Sequence, residues 1–328
     1  MRLLLDFSLS LDNRLFAFEP ERGFSKLLEL AELADESPLE AVWVNDSLID
    51  TPGFEPLVTL GAVAARTKRV RIGTAILQPH FRNPVVLALA WATLDRAAVG
   101  RTILGLAIGG GTPENIRAEC AEVGIEPRDR GRILEATIEE VRALFAGTHA
   151  RVSLPVRPVQ RKVPIWIAAG IYAPAEASAG AQGLAQSGER GRYLHGRLDR
   201  VARLADGWLT LMATPADIRE SLALLAGKAA ECGRRVDEIT PCLELWVNVG
   251  PNANRCYREL KSTVERYFEG AHIPDETVER WAIWGEPEAC RERLALFADA
   301  GIRHVKLVIG APDPVSQFDR IVDLVVLQ

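Results

Sequence analysis

Hydrophobic positions along the chain follow two alternating patterns. Short β-rich runs occupy 3–9, 41–45, 70–76, 102–108, 163–169, 207–212, 242–248 and 304–309. Between them apolar residues recur at i, i+3, i+4 and i+7, as in Phe24, Leu27, Leu28, Ala31, in Leu87, Ala90, Trp91, Leu94 and in Phe318, Ile321, Val322, Val325. The first pattern predicts strands and the second predicts helices that bury one stripe. Strict alternation of the two favours a parallel sheet, and eight repeats favour its closure into a barrel. The strands point the same way. In 242–248, Leu243, Leu245 and Val247 are apolar while the other face carries Glu244, Trp246 and Asn248. Asp6 and Ser8, then His304 and Lys306, repeat that split at the two ends of the chain. A doubly covered open sheet would be apolar on both faces. The expectation is therefore an α/β fold, a single (β/α)8 TIM barrel in one domain, 1–328, with an insertion at 171–198 after strand 5.

In such a barrel the first and last strands are neighbours, which places Lys306 between strands bearing Asp6 and Glu244. An ion-pair network is the expectation there. The insertion is rich in Ala, Gly, Ser and Gln and precedes a helix expected to begin near Asp199. A segment of that length after a barrel strand is an active-site lid or a mobile loop.

Candidate chemistry narrows by exclusion. The five histidines, His80, His149, His195, His272 and His304, never fall in HxH or HExxH spacing, and no GxSxG elbow exists. Zinc and serine-hydrolase chemistry lose their usual signatures. Anion binding remains. Strand 4 runs into Gly109-Gly110-Gly111-Thr112-Pro113, with Thr112 placed to cap a helix that starts at Pro113. Glycines before a helix N-terminus let backbone amides approach a phosphate, or simply make a tight turn. Strand 5 ends similarly in Ala168-Ala169-Gly170. A net charge of -5 and a pI near 5.7, with basic residues scattered among acids, argue against nucleic acid. Every apolar run meets a charge or turn residue before membrane-spanning length, and Leu3-Leu4-Leu5 is too short for a signal segment. Five cysteines without CxxC spacing suit a reducing cytoplasm.

The runs Val70-Arg71-Ile72-Gly73-Thr74-Ala75-Ile76-Leu77, Arg82-Asn83-Pro84-Val85 and Ala92-Thr93-Leu94-Asp95 resemble the third barrel unit of the luciferase-like monooxygenase superfamily. Asp129-Arg130-Gly131-Arg132, Pro164-Ile165-Trp166-Ile167 and Arg203-Leu204-Ala205-Asp206-Gly207-Trp208 extend the resemblance over nearly the whole chain. It implies an oxidoreductase that exchanges hydride with a small organic substrate, or activates oxygen, through a flavin or deazaflavin across the barrel mouth. By position, Thr74, Ala75, Ile76, Ile108, Gly109, Gly110, Arg130, Ala169, Gly170 and Ile171 would hold that cofactor, the phosphate lying on the loops after strands 4 and 5. A non-proline cis peptide would join Ala75 to Ile76. The Ile167-Ala168-Ala169-Gly170 turn is similar to deazaflavin-binding members, so coenzyme F420 is preferred over FMN. Members of that group commonly carry Asp-His after strand 2, where this chain reads Asn45-Asp46-Ser47, and some sugar-phosphate dehydrogenases carry a Glu that aligns with Gly110. Asp46 and His80 are the catalytic candidates, with His195 a third should the insertion cover the site. Asp46 capping a turn and His80 lying solvated are the bland alternatives. The resemblance also implies a homodimer, through helices near strands 2 and 3. Other readings are a Schiff-base lyase using Lys306 and a flavin-binding protein without chemistry.

Overall fold

All strand pairings are parallel, and the order of the strands closes on itself. β1 (Asp6–Ser10), β2 (Ala41–Val44), β3 (Arg71–Thr74), β4 (Thr102–Leu106), β5 (Ile165–Ala168), β6 (Gly207–Leu211) and β7 (Thr240–Val249) follow one another around the sheet. β9 (His304–Ile309) then lies between β7 and β1, so eight strands form a closed barrel. This is the TIM barrel that the sequence pattern predicts. The computed structural model describes residues 5–19, 21–170 and 187–326, with 187–195 as backbone alone.

A ninth strand, β8 (Ala282–Gly285), was not expected. It pairs with the upper half of β7, Trp246 to Val249, above the level at which β6 leaves that strand. Four residues ending in glycine carry too little pattern to be read as a strand.

The helices are α1 (Asn13–Ala17), α2 (Gly23–Glu36), α3 (Pro56–Arg66), α4 (Pro84–Ala97), α5 (Pro113–Glu122), α6 (Arg130–Ala146), α7 (Ser187–Leu204), α8 (Pro215–Glu231), α9 (Ala253–Tyr267), α10 (Asp275–Trp281), α11 (Pro287–Asp299) and α12 (Pro314–Val326). Several begin with proline at the first turn after a capping side chain, as with Asn83 before α4, Thr112 before α5 and Thr214 before α8. The expected stripes are buried against the barrel: Leu27 and Ala31 on α2, Leu87, Trp91 and Leu94 on α4, Phe318 and Ile321 on α12. α7 starts twelve residues before Asp199, so the second half of the expected insertion is helical. Polar residues and three glycines in Ser187–Leu204 hide the helical period there. The preceding 171–186, and with them Ile171, lie outside the described residues. Among the described residues no helix is long and apolar enough to cross a membrane.

The lower barrel interior is filled by Trp43, Trp166, Ile103, Leu209 and Cys242. Trp43 Nε1 donates to Ser8 Oγ at 2.7 Å, and the His304 ring meets the same hydroxyl through Nε2 at 2.7 Å. Two glycines make room for the two indoles. A Cβ on Gly73 would stand 2.7 Å from the Trp43 ring, and one on Gly207 2.5 Å from that of Trp166. Packing inside a barrel is this tight because every strand contributes to the same small volume.

The Lys306 network differs from the expectation. Lys306 bonds Glu244 Oε2 at 2.7 Å, but Asp6 is level with His304 and exposed at the opposite end of the barrel. Its second bond instead crosses to the carbonyl of Ala75, at 3.1 Å. The Lys306 side chain is long enough to rise one layer toward the mouth, away from Asp6.

Candidate active site

At the carboxyl ends of β3, β4 and β5 the inward positions are Ala75, Ala107 and Ala168, which together make a low shelf on one side of the mouth. Strands β3 and β4 approach closely beneath it. Thr74 Oγ1 donates to the Gly105 carbonyl at 2.7 Å, and a Cβ on Gly105 would fall 1.9 Å from the Thr74 carbonyl oxygen. The peptide from Ala75 to Ile76 is cis, as the family resemblance implies. Beyond it Leu77 donates to Gly105 and receives a bond from Ala107 N, so the turn is stitched to β4.

The next residues pass under the glycine loop. Gln78 is buried against Gly109, whose φ of 76° and contact with the amide leave no space for a side chain. Its backbone N–H donates to Asp46 Oδ2 and its Nε2 to the Asp46 carbonyl. Gln78 Oε1 and His80 Nδ1 are buried with no hydrogen-bond partner among the described residues. Buried polar atoms of this kind are rare and point to a missing ligand or water.

The two catalytic candidates lie in this region with different surroundings. Asp46 is forked by Arg82, NH1 to Oδ2 at 2.6 Å and NH2 to Oδ1 at 3.2 Å. Burial pushes its carboxyl above the ordinary value, and the guanidinium acts against that rise. Both oxygens are engaged, so a proton could move only after the fork opens. His80 is pushed down to about 4, first by burial and then by Arg130, which makes it a neutral imidazole at pH 7. The side chain of His195 lies outside the described residues. Ser47, where deazaflavin members commonly carry histidine, donates to Glu119 Oε1, which also receives the backbone N–H groups of Leu48 and Ile49.

Two arginines brace the two glycine loops. Arg130 opens α6 and donates to the Ile108 carbonyl at 2.8 Å; Arg197 on α7 donates to the Gly170 carbonyl at 3.2 Å. Burial and then Arg200 and Arg130 hold Arg197 down to about 10, and burial lowers Arg130 as well. Gly110 between the braces is exposed, and a Cβ there would meet nothing within 4 Å, so its backbone is open to a ligand. Ile108, Gly109, Gly110, Arg130, Ala169 and Gly170 are thus brought together beside Thr74, Ala75 and Ile76.

The other side of the mouth is polar. Asp12, capping α1, is buried among Lys306, Glu244 and Arg14, and burial pushes its carboxyl up to about 6. Arg14, 1% exposed, pairs with Glu269 and lies 5.3 Å from the Tyr267 ring. The sequence reading missed Asp12, Gln78 and Arg197. Asp12 follows directly on β1, a usual place for function in a barrel, and was the readable one of the three. Among the described residues no group of His, Cys, Asp and Glu could hold a metal ion.

The residues present fit a phosphorylated flat ring: small side chains along the shelf, two guanidiniums on the loops for a phosphate, and orphaned buried polar atoms at Gln78 and His80. Comparisons with known proteins agree. The profile of the luciferase-like monooxygenase family matches residues 6–184 and 196–304. An F420-dependent glucose-6-phosphate dehydrogenase of Nakamurella multipartita is 28% identical, over 88% of this chain and 87% of the relative. In solved structures, the monooxygenase RslO1 from Streptomyces bottropensis superposes with a TM-score of 0.78 at 21% identity, covering 98% of this chain and 97% of that one. The coenzyme F420-dependent tetrahydromethanopterin reductase from Methanopyrus kandleri gives 0.72 at 16%, covering 98% and 99%.

Proposed function

The chain belongs to the luciferase-like monooxygenase family, and on that footing we propose that it is an oxidoreductase that holds coenzyme F420 on the alanine shelf and exchanges hydride with a small organic substrate. The observation that carries this reading is the pair of arginines, Arg130 and Arg197, bracing two adjacent glycine loops beside a shelf of alanines. Arg130, Arg197 and the amides near Gly109, Gly110 and Gly170 would hold the phosphate. Thr74, Ala75, Ile76, Ala107 and Ala168 would carry the ring, with Ala169 supporting the phosphate loop beside Gly170 and Gln78 meeting the ring's edge. When bound, the deazaflavin supplies a carbon that accepts or donates hydride. Ile171 follows Gly170 in the sequence and is part of the same proposal. FMN fits the same phosphate site and stands as the alternative, with oxygen activation as its chemistry.

Proton handling falls to the polar side of the mouth in this reading. Glu244 is 14% exposed and Asp12 lies behind it, its carboxyl raised to about 6, near the range in which a carboxyl can take up a proton at neutral pH. Asp46 and His80 act from below, the first by fixing Gln78 and Arg82, the second as a neutral imidazole beside Arg130. The relatives' sugar-phosphate substrate is not carried over, because Ser47 and Gly110 stand where deazaflavin sugar-phosphate dehydrogenases carry histidine and glutamate.

Titration of the purified chain with coenzyme F420 and with FMN, followed by ring fluorescence, tests the reading. Saturable binding of F420 at micromolar concentration, at least tenfold tighter than FMN, is the expected result; binding of neither removes the proposal.

A homodimer is part of the same proposal, supported by Val58 on α3, 71% exposed, and Val86 on α4, 63% exposed, on neighbouring helices. Sedimentation should give a dimer, and Val58→Lys with Val86→Lys should give monomers; a wild-type monomer contradicts it. Five cysteines without a disulfide support a reducing cytoplasm as the site of action.

A further inference from the structure

We propose that Lys306 tunes the ring bound above it, favouring the state that has accepted hydride, as the positive pole of a buried dipole aimed at the alanine shelf. This inference rests on the ring site proposed above and deepens it. The Lys306 side chain is 1% exposed and crosses the barrel from β9. Its Nζ donates to the carbonyl of Ala75, the first residue of the shelf, and to Glu244 Oε2 on β7. The ammonium therefore reaches the β3 side, where the ring would rest, while its counter-charge stays on the β7 side. Asp12, after β1, adds a second carboxyl to that negative end, and Arg14 lies beyond it. Nearby His304, pushed well below its ordinary value by burial, is uncharged.

The chemistry gives this polarity a use. In oxidation of an alcohol-type substrate, the C–H bond breaks and hydrogen leaves with its electron pair to form a C–H bond on the ring. The substrate's hydroxyl proton departs separately to a carboxylate or to water. Hydride brings one unit of negative charge to the ring, and Lys306 lies on the side that receives it. Glu244 and Asp12 lie on the side that receives the proton. Charges in a water-poor site interact far more strongly than in bulk solvent.

The test is the ratio of dissociation constants for oxidised and reduced coenzyme F420, measured by fluorescence at pH 8 on the whole chain. Lys306→Met should shift this ratio at least tenfold against the reduced form. Glu244→Gln removes the counter-charge and should shift it severalfold the other way. Should Lys306→Met fail to fold because Glu244 is left unpaired, the double variant Lys306→Met/Glu244→Gln replaces it with the same expected direction. Ratios within threefold of wild type in all variants, or shifts of one sign in both single variants, overturn the role of Lys306 and leave the ring site standing. Failure of the wild-type chain to bind either form overturns both.

Discussion

Arg197→Ala is expected to weaken coenzyme F420 binding roughly thirtyfold, Arg130→Ala by a similar factor, and the double variant to abolish measurable binding. A charge-assisted hydrogen bond to phosphate contributes about 2 kcal/mol, and 1.4 kcal/mol is tenfold in affinity. The distinguishing control is the deazaflavin core that lacks the phosphate chain. It should bind wild type and both variants with the same weak affinity, because shelf contacts are untouched. Loss of core binding as well would mean that the loops had collapsed and that the arginines act as braces alone. The unliganded protein helps to separate these outcomes. Arg197 is held down to about 10 by burial and by Arg200 and Arg130, so its removal relieves that repulsion, and the bond to Gly170 is among the contacts it gives up. A large fall in thermal stability without coenzyme would accordingly mark a collapsed loop rather than a lost phosphate contact. A rise in salt should weaken wild-type binding more than that of either variant.

The eight barrel strands, their closure and the inward polar face were legible because they rest on periodicity, which survives in a single sequence; β8 was not. Glu244, Lys306 and His304 alternate with apolar neighbours, and each lies inside the barrel. The glycine loop was legible for a similar local reason, since Thr112 and Pro113 mark the start of α5. Asp6 was misplaced because alternation gives the face of a strand and says nothing of its height along the barrel axis. Register decides that, and it sets Asp6 beside His304. Arg197 was illegible because polar residues and glycines in Ser187–Leu204 hide the helical period, and its arginine meets Gly170 only once the chain has folded back. Asp46 was seen as chemistry, but its partner Arg82 comes from a different strand's loop, 36 residues away. Pairings between loops are products of the closed barrel, and no spacing rule announces them.

Acid should unfold this protein through its two buried histidines. His304 is pushed down to about 3 and His80 to about 4, in each case chiefly by burial. Both folded values lie below the ordinary 6.5, so between pH 6.5 and 4 the unfolded chain binds protons that the folded chain refuses. Their contribution to stability is intact above pH 6.5 and is lost as the pH falls through that window. For His304 alone the loss is about 2 kcal/mol at pH 5, from 1.36 kcal/mol per unit of separation. Asp12 works in the opposite sense. Its carboxyl is raised to about 6, so the folded state binds that proton first and regains stability as the pH drops from 6 toward 4. Asp46, also raised by burial, acts in the same sense as Asp12, and the larger shifts of the two histidines leave a net loss. Urea denaturation between pH 4.5 and 8 measures it. His304→Asn should cost about 1–2 kcal/mol at pH 8, since it leaves a void beside Trp43 and Trp166. The variant and wild-type curves should then converge and cross near pH 5, because asparagine has no proton to gain. Asp12→Asn keeps a capping residue before α1 and should steepen the acid limb, as one of the two compensating carboxyls is gone. A stability difference for His304→Asn that stays constant from pH 8 to 4.5 would mean that the imidazole beside Ser8 titrates normally, and the dry barrel interior inferred around it would have to be abandoned.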